Sequence, residues 1–252
     1  MSSSPFPSFR PRPSDSVSHL IFLSRLYVSM AGREEQPVSG FSRQVDALSR
    51  AMFRKAASEA TPLADRLPLL SSLYGLLNGT SYIVDRRKTE RWDTLAEKLI
   101  HAAWAPARAG EEEILTPLCL CLADYFYFDP APEEDPWFLF LRDTVTRFGE
   151  GLASSPHWEG LSLEESLARI GLMNRYSYMF LDHRWDRLVG EAFRHYAARA
   201  LSASSPSPAV WGRLYDLSTE GNACPMDESL AAKAWECIVR TAIPHALEDV
   251  SK

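Results

Sequence analysis

The chain has 252 residues, enough for one large domain or two small ones, and a hydrophobic fraction of 46% can fill a sizeable core. Its 33 acids outnumber its 27 lysines and arginines, giving a net charge of −6 and excluding the overall basic footprint of a nucleic-acid binder. No apolar run approaches the roughly 18 residues that cross a bilayer, so no membrane span is expected.

Residues 1–38 read as a tail. Met1 to Pro13 is Ser, Pro, Phe and Arg without an acid, and His19 to Met30 carries an apolar patch broken by Arg25. That composition fits a disordered segment; a Ser- and Arg-rich targeting segment, or translation that begins at Met30, are the other readings. The array of helices is expected over residues 39–252.

Four tryptophans set its rhythm. Trp92, Trp137, Trp185 and Trp235 are 45, 48 and 50 residues apart, and each opens the same apolar stripe at +3, +4, +8 and +11. The stripe is Leu95, Ala96, Ile100 and Ala103 in the first copy, and Phe140, Leu141, Val145 and Phe148 in the second. It is Leu188, Val189, Phe193 and Tyr196 in the third, and Ile238, Val239, Ile243 and Ala246 in the fourth. At 3.6 residues per turn these positions share one helix face. Val45, with Leu48, Phe53 and Ala56, gives a terminal copy without its Trp, 47 residues before Trp92. A partner helix precedes each Trp helix, at about 67–84, 114–128, 163–181 and 209–220. Asp135-Pro136, Thr89 and Asp182 are candidate starts for the Trp helices, and Ser162 with Glu165 forms a capping box. Gly149-Glu-Gly151 reads as a helix end. No segment alternates with period two. The fold class is therefore all-α: four to five helical hairpins with a period of about 47 residues, as a partial α/α toroid or a short solenoid.

Two partner helices match beyond hydrophobicity. Gly75-Leu-Leu-Asn-Gly-Thr-Ser-Tyr82 aligns with Gly171-Leu-Met-Asn-Arg-Tyr-Ser-Tyr178, 96 residues on. Asn78, Ser81, Tyr82 and Asp85, with Asn174, Ser177, Tyr178 and Asp182, then form a duplicated polar stripe. Amide, hydroxyl and phenol could line a binding surface. They could equally satisfy one another between packed helices, with the glycines allowing close approach. The carboxylates near the ends of these helices, Asp85, Asp124, Asp129 and Asp182, are the candidates for paired-carboxylate chemistry, and capping accounts for each. His101, His183, His195 and His245 lie on or beside the second helices, but no nucleophile-elbow glycines accompany any Ser. Cys119, Cys121, Cys224 and Cys237 make no C-x-x-C pair and have no His at ligand spacing. They read as buried thiols of a reducing, cytoplasmic compartment. The basic cluster Arg86-Arg87-Lys88 with Arg91 is flanked by acids and reads as a solvated helix start. No cofactor or metal is implied.

Gly75-Leu76-x-x-Gly79, ahead of a charged turn and a second amphipathic helix, resembles the repeats of the lanthionine synthetase C-like proteins. The resemblance covers residues 65–200 and implies an α/α toroid whose inner helices begin with Gly-Leu-x-x-Gly. Arg175 stands where the second copy's last glycine would be. That family's catalytic members hold zinc through two Cys and a His, including a Cys-His-Gly stretch, and no Cys here is followed by His. The resemblance therefore implies a shortened, zinc-free relative. Two functions are expected from these readings: a non-catalytic helical-repeat protein that binds a protein or peptide partner on a concave face, or a zinc-free toroid enzyme acting on a peptide or sugar.

Overall fold

The computed structural model describes residues 16–31, 41–80, 86–128, 134–155, 158, 160–203, 206–219, 223–224 and 227–247. Among them are ten helices and no strand. In chain order these are α1 (Val17–Ala31), α2 (Phe41–Ala57), α3 (Leu63–Gly79), α4 (Arg86–Arg108) and α5 (Glu112–Phe128). They continue as α6 (Pro136–Ser154), α7 (Leu163–Phe180), α8 (Asp186–Ser202), α9 (Pro208–Thr219) and α10 (Glu228–Leu247). No helix of the described residues is long and apolar enough to cross a membrane. The chain forms two compact units: Met1–Ile114 with Ile238–Lys252, and Leu115–Cys237.

In the first unit, α3 is the central helix, and α1, α2 and α4 all pack on it. Its leucines explain why. Leu67, Leu69, Leu70, Leu73 and Leu76 are fully buried and point to several sides, so the helix needs neighbours all round. The expectation of a tail over residues 1–38 is corrected for Val17–Ala31, which form the docked helix α1; the rest of that stretch, apart from Ser16, lies outside the described residues. Ser16 starts it, its hydroxyl accepting the His19 N–H at 3.2 Å. Leu20, Leu23 and Tyr27 fall at i, i+3 and i+7 and are buried. Composition is a poor guide at this point: the His19–Met30 patch has helical spacing and a core to meet. At the far end of α1, Val28 lies so close to Gly79 that a Cβ there would stand 2.7 Å from its methyl. This is the glycine in Gly75-x-x-x-Gly79 that close approach requires; a Cβ on Gly75 would meet nothing within 4 Å.

The apolar stripes of the first three Trp-anchored copies face inward as their spacing predicts; of the fourth, Ile238 is buried, and the side chains of residues 239, 243 and 246 lie outside those described. Positions +4, +8 and +11 are buried in the copies anchored by Trp92, Trp137 and Trp185, and Val45, Leu48, Phe53 and Ala56 are buried in α2. The tryptophans themselves sit in different turns: about two turns into α4 and α10, but at the very start of α6 and α8. Trp92 is buried, donates its indole N–H to the Leu70 carbonyl at 2.9 Å and packs on Tyr74 of α3. Trp137 meets Tyr125 of α5 edge-on, and Trp235 lies against Tyr215 of α9. Each thus packs on the helix before its own. Trp185 instead lies across Gly149 of α6, where any Cβ would overlap its ring. That contact corrects the expectation of a helix end at Gly149-Glu-Gly151: α6 continues to Ser154, and the glycine is there for the indole.

Helix starts obey the sequence signals closely, with exceptions that have causes. The Asp135 carboxylate accepts from the N–H groups of Trp137 and Phe138, with Pro136 at the first helical position. Ser162 accepts from the Glu165 N–H at 3.1 Å. Glu165 serves other partners in this fold: its Oε1 accepts from Thr116 of α5 at 2.7 Å and from Arg169 at 2.8 Å. Residue 89 lies inside α4, which begins at Arg86 because arginine and lysine are good helix formers. Asp182 binds Arg184 and leaves the start of α8 to Trp185, which makes no side-chain cap.

Candidate functional site

Asn78 of the first polar stripe lies on α3, and Asn174, Ser177 and Tyr178 of the second lie on α7; each of these is the helix on which its unit's neighbours pack. Their described members do not share one environment. Asn78 is exposed, and residues 81, 82 and 85 (Ser81, Tyr82 and Asp85) lie outside the described residues. Asn174 is buried, and its side-chain oxygen accepts from the backbone N–H of Ala223 at 2.8 Å and of Cys224 at 3.4 Å. The same short segment presses on α8, where a Cβ at Gly190 would stand 2.9 Å from the Ala223 carbonyl. Asn174 therefore clamps the connection between α9 and α10. The pair makes a direct test. Asn174→Ala should cost about 1–3 kcal/mol by leaving buried N–H groups without their acceptor. Asn78→Ala, at the surface, should stay within about 0.5 kcal/mol of the parent in urea titration.

Ser177, His183 and Asp186 do come together, and the arrangement resembles hydrolytic chemistry until its atoms are traced. Ser177 Oγ donates to Asp186 Oδ1 at 2.6 Å, and His183 Nδ1 lies 3.1 Å from Ser177 Oγ and 2.9 Å from Asp186 Oδ2. A relay needs the serine on one imidazole nitrogen and the carboxylate on the other. Here both meet Nδ1, and the serine proton is held by the carboxylate. Ser177 is also only 3% exposed. The trio fastens the end of α7 to the start of α8. Tyr178 and Leu181 beside it face solvent. Asp182 is held below the usual carboxylate range, chiefly by the hydrogen bonds from Arg184.

Two further polar ties in this unit join residues too far apart in sequence to be paired by inspection. Buried Asp124 of α5 is ion-paired with Arg175 of α7. Arg169 lies over the Phe148 ring at 4.3 Å while bonding Glu165, which joins α7 to α6 and, through Thr116, to α5. None of the four cysteines is in a disulfide. Burial pushes the Cys119 thiol up to about 12, so it stays protonated at neutral pH and is no nucleophile. No group of three or more His, Cys, Asp or Glu among the described residues is placed to hold a metal ion.

An open site among the described residues lies in the first unit. A groove of about 630 Å³ runs between α2 and α4, which both pack on α3. Phe53, Ala57 and Leu95 supply its apolar wall, and Arg54, Arg91 and Lys98 its cationic rim. Phe53 is the +8 residue of the terminal stripe and Leu95 the +3 residue of the next, so consecutive repeats build one groove. Arg91 lies 5.0 Å from the centre of the Phe53 ring. The sequence alone reads Arg91 as part of a solvated helix start; the fold makes it one edge of the groove. The signal for the groove is spacing: Arg91, Leu95 and Lys98 fall at i, i+4 and i+7, with Arg50 and Arg54 at i and i+4 on α2.

No family model, curated protein or solved structure matches this chain.

Proposed function

We infer that this is a non-catalytic helical-repeat protein that binds a protein or peptide partner, in a reducing, cytoplasmic setting. The observation that carries the reading is the groove between α2 and α4, an apolar wall with charged residues at its edge. The polar groups described on α5 and α7 favour the same reading. Asn174, Ser177 and Asp124 are buried and engaged in structural bonds, and the serine of the Ser-His-Asp contact gives its proton to a carboxylate.

The test is site-specific crosslinking in living cells. A photo-reactive residue at Lys98, on the groove, should give a discrete protein adduct; one at Lys233, on the exposed side of α10, should not. No adduct at Lys98, or the same adduct at both, overturns the reading.

A further inference from the structure

We propose that the groove between α2 and α4 receives an acidic peptide segment with an aliphatic side chain between its carboxylates. This rests on the partner-binding reading above and names the partner's chemistry. The chain carries 33 acids and 27 lysines and arginines, so a basic side chain has no shortage of carboxylates to pair with. Yet among the described residues neither Arg54 nor Arg91 makes an ion pair. Arg54 reaches only the Arg50 carbonyl, at 3.4 Å, and Arg91 only the Phe53 ring. Lys98 has a distant pair, 3.7 Å from Glu59, with both side chains largely in solvent. Glu90 is the one carboxylate among the lining residues, against three cations. A basic groove on an acidic protein attracts acidic chains.

The wall decides what kind of acidic chain. Arg54 and Arg91 line the same groove as Phe53, Ala57 and Leu95, so carboxylates bound to the guanidinium groups would hold an adjoining side chain against apolar surface. A nucleic-acid strand would bring phosphates but no aliphatic group to that wall. A peptide with Glu-Leu-Glu character brings both, and arginine suits its carboxylates through paired N–H donors.

The experiment uses the full chain and fluorescent peptides of Glu-Leu-Glu, Glu-Ser-Glu and Lys-Leu-Lys repeats, with a single-stranded oligonucleotide as a fourth probe. The Glu-Leu-Glu peptide should bind, at least about tenfold more tightly than Glu-Ser-Glu, and weaken as salt screens the contacts. The Lys-Leu-Lys peptide and the oligonucleotide should not bind. The variant Arg54→Glu with Arg91→Glu should lose the acidic peptide and gain the basic one, with a melting temperature within a few degrees of the parent because both residues are exposed and only the Arg91–Phe53 ring contact and the long Arg54 bond to the Arg50 carbonyl are lost. Equal binding of Glu-Leu-Glu and Glu-Ser-Glu, preference for the oligonucleotide, or a variant that keeps its preference overturns the proposal. So does a cellular crosslink from Lys98 that the double variant leaves undiminished, and in that case the partner-binding reading stands without it. Absence of any crosslink in the parent protein removes both.

Discussion

A chain begun at Met30 is expected to lose at least about 10 °C of melting temperature. The deletion removes most of α1, whose Leu20, Phe22, Leu23 and Tyr27 are each under 5% exposed. Burial of each such side chain is worth about 1.5–3 kcal/mol. Their loss also opens the α1 side of α3, the helix that organises the first unit. A single truncation, Leu23→Ala, should cost about 2–5 kcal/mol and reports the same docking without deleting anything. For the deletion, a loss of about 6 kcal/mol or more at roughly 2–4 °C per kcal/mol for a domain this size lowers the midpoint by at least about 10 °C. Scanning calorimetry of both proteins measures it; a deletion that melts with the parent would mean that α1 is not docked. Tyr27 adds a pH dependence. Its hydroxyl donates to Gln44 Oε1 of α2 at 2.6 Å, and burial raises its ionisation well above the ordinary 10.0. Its contribution is complete below pH 10 and is lost only as pH rises further toward the folded value, so neutral conditions leave the docking intact.

The second large effect is expected at Asp124 and Arg175. Arg175→Met should destabilise by about 3–5 kcal/mol, because it removes the cation paired with a fully buried carboxylate. Combining it with Asp124→Leu should recover most of that loss, since an apolar pair no longer carries a desolvated charge. Urea denaturation of the two single variants and the double gives the coupling directly. A single-variant loss below about 1 kcal/mol would show that the pair carries little of the α5–α7 packing.

The helices are legible in the sequence to within a few residues. Their apolar spacing, the Asp135-Pro136 start and the Ser162 cap act within one or two turns, and local signals of that kind are written next to each other in the chain. The docking of α1 is not legible, because what makes His19–Met30 a helix of the core is α3, whose residues lie far along the chain. The duplicated stripe does point at the central helix of each unit, though not at a shared surface: Asn78 faces solvent, while Asn174 is tied to Ala223. The groove is half legible. The basic residues of α4 are visible, but only the fold brings Arg54 of α2 beside them.

The ties on α7 also set an order of assembly as the chain leaves the ribosome. Thr116 bonds Glu165, 49 residues on, and Asp124 pairs with Arg175, 51 residues on. Both can close as soon as α7 has emerged. Asn174 must wait for Ala223, another 49 residues, which at 5–20 residues per second is roughly 2–10 s of synthesis. Through that interval α7 has its earlier neighbours and lacks its later ones, so the second unit is closed from its N-terminal side forward, like a seam sewn in one direction.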